Sequence, residues 1–175
     1  MRSTIHTCDD NTYTYHWQRG VRVKPGEFDP PGGGLGYALI QAANAWRAEL
    51  ATALQPVSIT PPQFFVLAAL LHAHGRERPG PTQKELADRT GIDVNTISQV
   101  LRGLERRGIV RRAPHPADSR AIALSLTDSG LELARQCAAE ARSLNRRYFA
   151  DIEAEPLLAT LKQLAVGSQR RSAGR

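Results

Sequence analysis

Six side chains suited to hydrogen bonding with nucleic acid crowd into one short stretch. Asn95, Thr96, Ser98, Gln99, Arg102 and Arg106 all lie between Asp93 and Gly108. On a wheel of about 100° per residue they share one arc, while Val94, Ile97, Val100, Leu101 and Leu104 fill the other. Asn and Gln carry the paired donor and acceptor that match adenine, Arg matches guanine, and a Thr methyl suits the thymine methyl. A helix face that merely meets solvent is more often rich in Glu and Lys. This one holds a single acid, Glu105, at its margin. The segment therefore predicts a rod with one side for packing and one side for a duplex.

A basic stretch follows directly. Arg102, Arg106, Arg107, Arg111, Arg112 and Arg120 face only Glu105 and Asp118, a net charge of +4 within about twenty residues. Ile122, Leu124 and Leu126 alternate with smaller residues, the two-residue period of a half-buried strand. Paired with Ile109 to Ala113 across a turn at Pro114 to Ser119, they predict a hairpin tipped by Arg120. A guanidinium there suits a narrow, electronegative minor groove. Asp118, two residues earlier, is placed to hold Arg120 in one rotamer.

These groups need a scaffold, and the flanking sequence predicts one. Thr82 with Glu85 reads as a capping box opening a short helix to Thr90, and Asp93 caps the next helix. Ala87 is small where two helices cross steeply, and Gly91 permits the positive φ of the turn between them. Together they form a helix-turn-helix pattern, with Leu86, Ile92, Ile97 and Val100 between the helices. The first residues of the 82–90 helix, Thr82 and Gln83, become phosphate-contact candidates because helix N-termini favour anions.

Upstream, Leu39, Ala42, Ala43, Trp46, Leu50 and Leu54 recur at helical steps until Pro56. Thr60-Pro61 with Gln63 opens a second helix that is apolar nearly all round and so belongs deep in the fold. Downstream, Thr127 caps a long helix reaching about Ala150, and another runs from about Glu155 to Val166. The expected fold class is mainly α with a small β wing. A DNA-binding lobe at about 58–126 is combined with helices at about 35–54 and 127–166. Residues 1–34 mix polar residues, isolated aromatics and the breaker run Pro30 to Gly34, and read as a tail, although Tyr13, Tyr15 and Trp17 alternate as a short strand would. Gly167 to Arg175 reads as a frayed basic end.

Composition bounds the alternatives. The 175 residues are 41% hydrophobic but only 6% aromatic, and carry a formal charge of +6. No stretch approaches the ~20 apolar residues of a membrane span, and no charged start with an apolar run marks a secretory signal, so a cytoplasmic location is expected. Cys8 and Cys137 are too few and too distant for a disulfide framework or zinc cluster. As oxidant sensors both are weak. Cys8 lies beside Asp9 and Asp10, which raise a thiol pKa, and Cys137 sits among alanines as a small hydrophobe. His72 and His74 are two apart on a helix and point to different faces, so no metal and no cofactor is expected. No nucleophile elbow, phosphate loop or zinc-protease motif appears, which argues against an enzyme. A winged-helix protein-interaction module without DNA binding is the rival outside the family, and the amide-bearing helix and arginine-rich hairpin argue against it.

The chain resembles the MarR family of transcription regulators. The resemblance rests on Thr60-Pro61-Pro62-Gln63-Phe64-Phe65-Val66-Leu67, Gln83-Lys84-Glu85-Leu86-Ala87, Thr96-Ile97-Ser98-Gln99-Val100-Leu101 and Leu104-Glu105-Arg106-Arg107-Gly108-Ile109-Val110. The wing Pro116-Ala117-Asp118-Ser119-Arg120, followed by Leu124-Ser125-Leu126-Thr127, completes it. It implies a homodimer joined through the first and last two helices, with each winged helix on one half of a palindromic operator. It also implies a repressor released by a small aromatic or phenolic effector, for which Trp46, Phe65 and His72 are lining candidates. His115 departs from the acid frequent in the family at that point, and the N-terminal extension is longer than usual.

Overall fold

The computed structural model describes residues 34–77, 79–116 and 118–173; the side chains of 118, 119 and 166–173 lie outside the description. Of the expected tail 1–34, residues 1–33, with the alternating aromatics and Cys8, fall outside it too, and Gly34 opens the first helix. The order is α1 (Gly34–Leu54), α2 (Pro61–Ala73), α3 (Gln83–Thr90), α4 (Val94–Arg106), β1 (Val110–His115), β2 (Asp118–Leu126), α5 (Asp128–Tyr148) and α6 (Ala154–Ala173). The chain divides into two units between Gln41 and Ala42, inside α1, and of the first unit only residues 34–41, the opening turns of α1, are described.

In the larger unit the core is aliphatic, as the low aromatic content requires. Leu50 and Leu54 from the end of α1, Val66, Leu67 and Leu70 from α2, Leu86 from α3, and Leu144 from α5 are all buried. They join Ile97, Leu101 and Leu104 of α4 and Leu124 of β2 in one cluster. The apolar α2 lies deep, as its composition predicts, and Gln63 Oε1 accepts the Thr60 backbone N–H at 3.0 Å to start it.

The two strands pair antiparallel, Val110 with Leu126 and Arg112 with Leu124. The hairpin is longer than the sequence suggests, because the strands continue to His115 and begin again at Asp118. Pro114 is accommodated in this two-stranded ribbon, where an outward N–H is dispensable, and the register shifts just beyond it. Arg120 therefore stands within β2, two residues past its start at Asp118, rather than at the apex.

Two close backbone approaches lock the wing. The loop before α3 runs beside β2, with Leu124 N–H donating to Pro81 O at 2.9 Å. Gly80 has no room for a side chain, because a Cβ there would strike the Leu124 carbonyl. At the other end Thr127 Oγ donates to Gly108 O at 2.7 Å and accepts the Gly130 N–H at 3.0 Å. This cap binds the start of α5 to the start of β1.

The terminal helices differ from the core. Along α1 every side chain from Gly34 to Glu49 is exposed except Tyr37 and Trp46, which are half-buried. In α6 every described side chain is exposed except the half-buried Leu157. The α6 backbone also continues to Ala173, past the Val166 end expected from the sequence. A lone glycine such as Gly167 costs a helix only about 1 kcal/mol, and good helix formers follow it.

Candidate nucleic-acid interface

The turn between α3 and α4 builds the site. Gly91 ends α3 at φ +67°, its N–H donating to Ala87 O at 2.9 Å. Asp93 then caps α4, accepting the Thr96 N–H at 2.9 Å. Hydrogen bonds from Thr96 hold the Asp93 carboxyl below the usual carboxylate range. From there α4 runs thirteen residues, and Gly108, at φ +67°, turns the chain into β1.

The stripe behaves as predicted at its centre. Ile97, Leu101 and Leu104 are fully buried, and Val100 is half-buried. Asn95, Gln99, Arg102 and Arg106 are exposed on the other side, with Thr96 and Ser98 half-buried at the borders. One member departs from the wheel. Val94, at the first position of α4, is 48% exposed.

Several cations have internal work. Arg102 donates to Ser98 Oγ at 3.1 Å, one turn back along α4. Arg112 of β1 pairs with Glu105 at 2.9 Å, so the lone acid of α4, although exposed, ties the helix to the wing. Arg107 donates to Ser58 O at 3.1 Å, bracing the end of α4 against the turn before α2. Arg106 and Arg111 are exposed, as is Arg120 on β2. The expected contact between Asp118 and Arg120 concerns a carboxylate outside the described side chains. Composition had counted six cations alike, and only folded distances separate these roles.

The start of α3 is similarly occupied. Thr82 donates from its backbone N–H (2.7 Å) and its hydroxyl (3.0 Å) to Glu85 Oε2. Those bonds hold the Glu85 carboxyl below its ordinary range. Gln83 Nε2 donates to Val94 O at 3.3 Å, linking the two helices of the motif. A second ion pair, Arg89 with Glu77 at 2.8 Å, fastens the end of α3 to the loop after α2.

The effector candidates are partly assembled. Trp46 and Phe65 stack with centroids 6.3 Å apart and planes at 29°, and Trp46 Nε1 donates to Asn145 Oδ1 at 2.9 Å. His72 is exposed, seven residues beyond Phe65 on α2. An open groove of about 390 Å³ between α5 and α6 is lined by Phe149, Leu157, Leu158 and Leu161, and another of about 390 Å³ by Ala51, Gln55, Ile59 and Pro61. Neither includes Trp46, Phe65 or His72. Burial pushes the Cys137 thiol up, away from thiolate chemistry. Among the described residues no three His, Cys, Asp or Glu side chains gather as a metal site, and no single helix is long and apolar enough to cross a membrane.

Comparison with known proteins agrees with this geometry. The MarR-family sequence profile matches residues 57–121. The chain is 30% identical over 141 residues to the HTH-type transcriptional regulator YdcH of Bacillus subtilis, across 79% of this chain and 94% of that one. It is 32% identical over 120 residues to the HTH-type transcriptional repressor Rv2887 of Mycobacterium tuberculosis, covering 69% and 83%. Among solved structures, a probable transcriptional regulator from Pseudomonas aeruginosa superposes with a TM-score of 0.66 at 29% identity, over 74% of this chain and 96% of that one. A cysteine variant of MarR from E. coli, complexed with operator DNA, superposes with a TM-score of 0.64 at 25% identity, over 77% and 92%. With a buried aliphatic stripe pinning α4, an amide and guanidinium face outward and a braced two-stranded wing, the chain belongs to the MarR family of winged helix-turn-helix, DNA-binding transcription regulators, and is not an enzyme.

Proposed function

We propose that the chain acts in the cytoplasm as a homodimeric repressor, its two α4 helices reading the halves of a palindromic operator and a small molecule releasing it. The observation that carries the readout is the outward display of Asn95, Gln99 and Arg102 on a helix whose opposite side is fully buried at Ile97, Leu101 and Leu104. In this reading Asn95, Thr96, Ser98, Gln99 and Arg102 meet base edges, while Arg106 meets the backbone. Arg120 enters the flanking minor groove, with Asp118 beside it on β2. Gln83 faces phosphate at the start of α3 through its second Nε2 hydrogen, whereas both donors of Thr82 are taken by the Glu85 carboxylate, so Thr82 orders that turn.

The dimer is supported by the terminal helices. Most of the stability of a helix in a protein comes from packing an apolar face, and α6 exposes Leu158, Leu161 and Leu164 along its length. Leu39, Ala42 and Ala43 of α1 are exposed as well, although their spacing is that of a packing face. A second copy supplies matching stripes by symmetry. Half-sites then lie about 10 bp apart, one helical turn. For the effector, the stacked Trp46 and Phe65 support an aromatic or phenolic acid, with His72 further along α2.

Selection from a random duplex pool, followed by binding across salt, tests this. Gln99→Ala is expected to cost about 1–3 kcal/mol and relax choice at one base, whereas Arg120→Ala weakens all duplexes and flattens the salt slope by about one contact. Salt-independent binding by the wild type, or uniform loss with Gln99→Ala, counts against the readout.

A further inference from the structure

Val94 is the one large aliphatic side chain of α4 that the fold leaves about half in solvent. It is 48% exposed at the first helical position, while Ile97, Leu101 and Leu104 are fully buried. Its row along the helix, at steps of four, is Val94, Ser98 and Arg102. Ser98 Oγ accepts from the Arg102 guanidinium at 3.1 Å, so the row is ordered. It runs along the border between the buried stripe and the amide face, on the side from which Glu105 reaches Arg112 of β1.

The charge beside Val94 narrows what it can meet. Asp93 caps the helix with a carboxylate that accepts the Thr96 N–H at 2.9 Å. A helix N-terminus ordinarily attracts anions, but one already holding a carboxylate repels a phosphate. The tip of α4 is thus better matched to base edges than to the DNA backbone. Along the major-groove edge of a duplex the apolar group is the C5 methyl of thymine. A valine at that tip offers two methyl groups and no hydrogen-bonding atom.

We infer that Val94 is a specificity residue that reads a pyrimidine C5 methyl group in the major groove. The inference rests on α4 being the base-reading helix. It adds an apolar element to a surface otherwise made of amides, hydroxyls and guanidinium groups. Asn95 and Gln99, on the adjacent arc, read neighbouring bases by hydrogen bonds.

The test is a uracil scan. Duplexes selected by the full chain from a random-sequence pool are resynthesised with each thymine replaced in turn by deoxyuridine, which deletes only the methyl group. Binding is measured with the wild type and with Val94→Ala, whose thermal unfolding should match the wild type because the side chain is exposed. At one thymine of the half-site, uracil should weaken wild-type binding about three- to fivefold, the weight of one buried carbon. The same replacement should leave Val94→Ala unchanged. A flat scan, or equal loss in both proteins, overturns the assignment; a Val94 that seats another protein instead would give that flat scan. If Asn95, Gln99 and Arg102 variants still change the selected sequence, only the Val94 role falls. If none of them changes it, the reading of α4 falls as well.

Discussion

Replacing Leu158 and Leu164 together by alanine should dissociate the protein into monomers. Both side chains lie on α6, 51% and 54% exposed, and Leu161 between them is 39% exposed. Fully burying a leucine is worth roughly 1.5–3 kcal/mol, so a half-exposed one retains about 0.7–1.5 kcal/mol to gain from a partner. In a symmetric dimer each substitution counts twice. The double variant therefore loses on the order of 3–6 kcal/mol of association free energy, or a dissociation constant raised about 100-fold or more. Truncation should hardly touch the monomer's own core, since neither residue packs in it. Sedimentation velocity from about 1 to 100 µM, a range chosen to bracket such a shift, reads the oligomeric state, and thermal unfolding checks the fold. A wild type that stays monomeric throughout, or a variant that dimerises as tightly as the wild type, would refute the assignment of α6 as a dimer arm.

Other consequences are equally direct. Gly130→Ala would drive a methyl group into the Ile109 carbonyl, and is expected to destabilise the protein by about 1–3 kcal/mol in urea denaturation. Glu105→Ala releases Arg112 and removes the only acid of α4, so affinity for duplex DNA should rise and its salt dependence steepen, as read by fluorescence anisotropy at several salt concentrations. The carboxyls of Glu77, Glu85 and Asp93 are all held below their ordinary range, by Arg89, Thr82 and Thr96 respectively. Their contribution is present above the unfolded-state pKa and is lost as pH falls through the folded one. Melting temperature should therefore drop below the ordinary carboxylate range, and the triple variant Glu77→Gln, Glu85→Gln, Asp93→Asn should show a shallower drop.

Much of this molecule is written in local pattern. The stripe Ile97, Leu101 and Leu104, the caps at Thr82 and Asp93, and the turn glycines Gly91 and Gly108 act within a few residues of themselves. Hydrophobic period and capping chemistry are sufficient to predict such elements, and with them the outward face of α4. The register of the wing was less legible. Pro114 signals a turn, yet strand pairing continues past it, because a two-stranded ribbon tolerates a missing N–H on its outer edge.

What tertiary structure alone decided is which of several similar side chains does which task. Arg107 and Arg112 are turned to internal partners 49 and 7 residues away, while Arg106 and Arg111 stay in solvent, and no spacing rule separates them. Val94 sits on the aliphatic arc of the wheel but stays 48% exposed, since a wheel gives direction along the helix and not what packs there. Likewise the sequence predicts a helix from about Glu155 to Val166, but that every leucine of it beyond Leu157 that the structure describes faces outward in the single chain is read only from the fold. Local sequence sets which way a side chain points along its own element; what it meets there depends on contacts between segments far apart in the chain.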